Sequence, residues 1–95
     1  MLTYKAAYKF VEGGVHAQIL DFPAVISCGS DLEEARRMLA SALIDMAELS
    51  WERGESLPIP NPLLTDPTAD VEEPIHLHLR ASSAEEEVPS GVVVP

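Results

Sequence analysis

A chain of 95 residues can close only one modest hydrophobic core, so a single domain is expected rather than two. Apolar residues make up 46% of it, enough to fold, yet no apolar run approaches the ~20 residues that a membrane span needs. Six Lys/Arg against sixteen Asp/Glu leave a formal charge of −10, which repels a phosphate backbone and argues for a basic partner instead.

The start, Met1-Leu2-Thr3-Tyr4-Lys5, lacks the charged head and apolar stretch of a secretory leader, which predicts a cytoplasmic protein. Residues 2–11, LTYKAAYKFV, then alternate: Leu2, Tyr4, Ala6, Tyr8 and Phe10 share one face, and Thr3, Lys5, Ala7 and Lys9 the other. That is a half-buried strand, with both tyrosines expected in the core. Glu12-Gly13-Gly14 supplies a turn able to take positive φ, and Val15, Ala17 and Ile19 alternate with His16 and Gln18 in a second strand. The pair predicts a hairpin.

Asp21-Phe22-Pro23 breaks the ladder, and the AVIS run that follows it reads as a short third strand closed by Gly29. Cys28, the only cysteine, forms no internal disulfide and is expected as a small apolar filler near the strand end. Asp31 is placed to cap a helix, with Glu34 reaching back to the cap's own amide and Glu33 and Glu34 favouring the positive end of the helix dipole.

From Leu32 to about Arg53 no proline or glycine intervenes. Leu32, Ala35, Leu39, Ala42, Leu43, Met46 and Leu49 form one apolar stripe, expected to cover the sheet. A second stripe, Ala40, Ile44, Ala47 and Trp51, lies around the helix from the first and calls for another cover. Gly54 ends the helix. Residues 55–74 carry prolines at 58, 60, 62, 67 and 74, which predicts an extended surface connection. IHLHLRA returns to alternation and predicts a fourth strand, while residues 82–95 form an acidic tail expected to be mobile.

The element order predicts one α+β domain over residues 1–81: a two-layer β-β-β-α-β arrangement, one long helix on one face of a sheet ordered 3-2-1-4. A right-handed crossover would set strand 4 parallel to strand 1. The far sheet face and the second helix stripe then lack cover, which predicts a homo-oligomer, a dimer or tetramer, with Ala40, Ile44, Ala47 and Trp51 at the interface.

A two-metal nuclease site needs several converging carboxylates, and the centre of strand 1 has none, so no catalytic residue is assigned. His76 and His78 share a strand face, with His16 a possible third ligand, but polar surface is the plainer reading and no metal or cofactor is expected.

The corner Phe22-Pro23-Ala24, then Gly29, then Leu32-Glu33-Glu34-Ala35, and finally Pro58-Ile59-Pro60 after Gly54 resemble the HicB-type antitoxin family. The resemblance covers about Tyr4 to Pro62. It departs at Ala24, where that family usually has glycine, and at the Gly29-Ser30-Asp31 order before the helix. It implies a degenerate ribonuclease-H-like sheet and an interaction protein that neutralises a small basic messenger-RNA-cleaving toxin (HicA-like). On that reading Asp21, Asp31, Glu33, Glu34, Glu48 and Glu52 would attract and orient the toxin, apolar contacts would supply much of the affinity, and catalysis is not required. The C-terminal segment ASSAEEEVPSGVVVP shows neither a helical pattern nor a basic cluster, so DNA binding is not expected. A different class of function, a solitary oligomeric scaffold or small-ligand sensor of the same fold, is the alternative.

Overall fold

The computed structural model describes residues 1–78; the expected tail 82–95, and the end of the expected fourth strand from residue 79, lie outside the described residues. The elements run β1 (Leu2–Val11), β2 (Gly14–Ile19), β3 (Ile26–Gly29), α1 (Leu32–Glu52) and β4 (Val71–Leu77). They make a four-stranded sheet of order β3-β2-β1-β4 with the helix on one face, the expected two-layer α+β arrangement.

The hairpin register follows from its turn. Val11 pairs with Gly14, so Glu12 and Gly13 form a two-residue loop, and Gly13 supplies the positive φ of 87° that such a loop demands. Strand alternation then sends Tyr4, Ala6, Tyr8, Val15, Ala17 and Ile19 into one core with Ala35, Leu39, Leu43 and Ala47 of the helix. Burying a large apolar side chain such as Ile19, Leu39 or Leu43 stabilises the fold by about 1.5–3 kcal/mol each. Tyr4 and Phe22 close one end of this core with ring centroids 5.6 Å apart in a tilted geometry.

Gly29 explains how the helix comes so near the sheet. A Cβ at this position would lie 2.9 Å from the Cα of Ala35, so only a residue without a side chain lets α1 pack its first turn on the end of β3. The helix lies mainly over β3 and β2 and reaches β4 through Arg36, whose guanidinium forks onto Glu73 at 2.8 and 2.9 Å.

Several expectations are corrected. The strand β4 runs antiparallel to β1, pairing Val71 with Tyr8 and Leu77 with Leu2. The cause is the proline-rich linker, which touches β1 near Tyr4 through the Pro58 carbonyl and ends near Phe10 through Asp70. It thereby travels in the direction of β1 before the chain turns, so β4 must come back the other way. The crossover rule for parallel strands does not apply.

That strand also begins at Val71, not at Ile75, and includes Pro74. Proline is tolerated because β4 is an edge strand and needs no outward donor at that position. The third strand covers Ile26–Gly29, slightly later than the AVIS run. On the helix, Ala47 is 2% exposed and belongs to the core, whereas Leu49, placed by sequence on the core stripe, is 38% exposed. A helix turn is not a whole number of residues, so the core stripe drifts from one of these positions to the other. Cys28 is exposed, not packed.

Candidate partner-binding surface

The linker does more than connect. Tyr4, on the helix face of β1, donates its hydroxyl to the Pro58 carbonyl at 2.7 Å. Lys5, on the opposite face, donates its ammonium to the carbonyls of Pro62 and Leu64 at 3.3 and 2.8 Å. Lys9, four residues on and on the same face, pairs with Asp66 at 3.4 Å. The linker therefore passes from the helix face to the far face beside β1 and lies across it, held by two lysines that alternation placed there. Part of the far face, for which a second copy was expected, is covered by the chain itself.

Asp21 marks the crossing. It is 7% exposed, and its two carboxylate oxygens accept the backbone N–H groups of Lys5 and of Asn61, both at 2.9 Å. The first half of β1 has no β2 residue opposite it, because β2 ends at Ile19 across from Ala6, and Asp21 serves the amide left free there. The side chain is thus a structural clamp rather than part of an open binding surface. Glu72 works in the same way on β4, accepting from the Thr65 hydroxyl and the Asp66 amide, and these bonds hold its carboxyl below the usual range.

The helix start is satisfied internally too. Asp31 accepts the Glu34 amide at 2.8 Å as N-cap, but Glu34 reaches past the expected cap amide to the amide and hydroxyl of Ser30 at 2.6 and 2.8 Å. The Ser30 bonds lower the Glu34 pKa. Glu33 is exposed on the first turn.

Glu48 and Glu52 are different. They are exposed at the C-terminal end of α1 together with Asp45 and, just beyond it, Glu55, and among the described residues none of these four enters an ion pair. The last turn of the helix carries no basic residue. Carboxylates at a helix C-terminus oppose the dipole, so this placement costs stability instead of adding to it. The ion pairs that form among the described residues, Lys5–Glu72, Lys9–Asp66 and Arg36–Glu73, use cations elsewhere.

Beside these carboxylates runs what remains of the second apolar stripe. Ala40, Ile44 and Trp51 are exposed, Ile44 by 50% and Trp51 by 77%, and their spacing of four and seven residues sets them along one side of α1. Sequence reasoning placed these side chains on one stripe but missed Ile59 and Leu63, which protrude from the linker at 87% and 88% exposure. Their signal was only the apolar residues between prolines.

One polar cluster lies inside the fold. The Tyr8 phenol is buried and faces Glu73, and burial first, then the Glu73 charge, push its pKa up to about 12. Glu73 itself is held below the usual carboxylate range by Arg36. The histidines do not converge: His16 sits opposite Lys9 and His76 opposite Thr3, six positions along β1 and so about 20 Å apart. The Nδ1 of His76 lies 3.0 Å from the Thr3 hydroxyl, and His78 follows the end of β4. Among the described residues, no group of three or more His, Cys, Asp or Glu side chains is arranged to hold a metal ion. No described helix is long and apolar enough to cross a membrane.

Against this geometry, the solved structure of the N-terminal domain of the Burkholderia pseudomallei antitoxin HicB matches with a TM-score of 0.69 at 21% identity, over 82% of this chain and all of that one. The chain has a HicB-like fold. At this identity the likeness speaks for the fold alone. No family model matches the sequence, and no curated protein matches it.

Proposed function

We propose that this HicB-like chain is an antitoxin-type interaction protein, which binds a small basic RNA-cleaving toxin of the HicA-like kind and neutralises it by covering its active surface. The observation that carries this reading is the fold shared with the whole N-terminal domain of an antitoxin. The charge of −10 supports it, since a strongly acidic protein draws a cationic partner and repels RNA and DNA. The mechanism is steric and electrostatic: carboxylates speed the encounter and fix orientation, while apolar contacts hold the complex. It requires no catalysis, metal or cofactor, and it takes place in the cytoplasm with the toxin's messenger-RNA substrate.

Capture from an extract of the source cells, with the full chain as bait, tests this. A small basic protein should co-purify in a fixed ratio, and its RNA-cleaving activity should fall to background when one equivalent of this chain is returned. Recovery of the bait alone would overturn the reading.

A second reading, a solitary oligomeric scaffold or small-ligand sensor, draws on the exposed apolar residues Trp51, Ile59 and Leu63. It requires a stable dimer or tetramer by light scattering in the absence of any partner, dissociated by Ile44→Glu or Trp51→Glu.

A further inference from the structure

Two features that sequence reasoning assigned to different tasks occupy one surface. Ile44 and Trp51 belong to the apolar stripe, Glu48 and Glu52 to the acidic set, yet Ile44, Glu48 and Glu52 follow each other at four-residue spacing with Trp51 three after Glu48. All four side chains are exposed. They make a single amphipathic flank at the C-terminal half of α1.

We infer that this flank is the docking site for a cationic, partly apolar polypeptide surface rather than for a second copy of the chain; the inference rests on the antitoxin reading and locates the partner on it. A two-fold contact between copies would set the same patch against itself, bringing Glu48 and Glu52 toward their own equivalents in a protein that already carries a charge of −10. Arg37 and Arg53 are the cations near its two ends, too few to offset Asp45, Glu48, Glu52 and Glu55. A lysine- or arginine-bearing partner meets the opposite situation. It pairs with carboxylates that have no ion-pair partner among the described residues, it relieves their conflict with the helix dipole, and its apolar part covers Ile44 and Trp51.

Trp51 is the only tryptophan, so its fluorescence reports on this flank and no other place. The probe is a helical lysine–leucine peptide without aromatic residues, titrated into the intact protein and into two variants of equal net charge, Glu48→Gln/Glu52→Gln and, as the control in the exposed hairpin loop, Glu12→Lys. Peptide binding should shift Trp51 emission to the blue and weaken at least about tenfold between about 50 and 300 mM salt. The helix-end variant should bind about tenfold more weakly, while the control should lose no more than about threefold.

Equal losses in both variants, or binding that leaves Trp51 emission unmoved, would overturn the site. So would a blue shift and doubled mass that appear with rising concentration of the protein alone, since a second copy would then be the occupant. Failure of the antitoxin reading looks different: extract capture returns only the bait while the peptide still moves Trp51.

Discussion

Asp21 and Asn61 tie the linker to the sheet: the buried carboxylate accepts the Asn61 amide at 2.9 Å while its other oxygen holds the Lys5 amide at the same distance. With the Tyr4, Lys5 and Phe10 contacts, this side chain holds the linker along β1, in the direction opposite to that in which β4 returns. An Asp21→Asn substitution keeps the shape but turns one acceptor into a donor facing an N–H. It should lower stability by about 2–3 kcal/mol, seen as an earlier urea midpoint with an unchanged slope. A variant as stable as the parent would show that the clamp is dispensable.

Gly29→Ala places a methyl group 2.9 Å from the Cα of Ala35, against backbone that has no room to give. The expected cost is about 2–4 kcal/mol, or loss of folding. Gly13→Ala is the contrast: nothing lies within 4 Å, and only the positive φ resists, so about 1 kcal/mol is expected. Thermal unfolding of the two variants side by side checks the ordering.

Stability should depend on pH at both ends through the Tyr8, Glu73 and Arg36 cluster. Glu73, Glu72 and Asp66 have lowered folded-state pKa values, so their contribution is present above the ordinary carboxylate range and is lost as pH falls through and below it. Tyr8 has the opposite sign: its folded pKa is raised to about 12, so its contribution is complete below its ordinary value of 10.0 and disappears as pH rises toward 12. Ultraviolet absorbance of phenolate should show late ionisation accompanied by unfolding, and Glu73→Gln should lower stability at neutral pH while making its loss toward acid pH shallower. A phenol of Tyr8 that titrates near 10.0 in the folded protein would contradict its placement.

Glu52→Lys separates stability from binding. A lysine in the last helical turn agrees with the dipole, so the melting temperature should rise slightly, while affinity for the cationic partner falls about tenfold or more. If stability and binding moved together, the carboxylate would have a structural role after all.

Much of the architecture was legible in the order of residues, because local rules control it. Strict alternation in β1 and β2 specified which face is buried, Glu12-Gly13 specified the hairpin, and Asp31 with the uninterrupted stripe specified the helix start and length. The strand order was also anticipated, but from a parallel crossover that β4 does not make. What sequence could not decide was long-range: a proline-rich segment shows no period, so its path across β1, the antiparallel sense of β4 and the burial of Asp21 depended on contacts between distant residues. The same holds for Ala47, one position from exposure on a helical wheel, whose burial was settled by the lie of the helix over β2 and β3. Composition and period thus determined the layers, whereas only the packed chain decided which carboxylates hold the fold together and which are left facing outward.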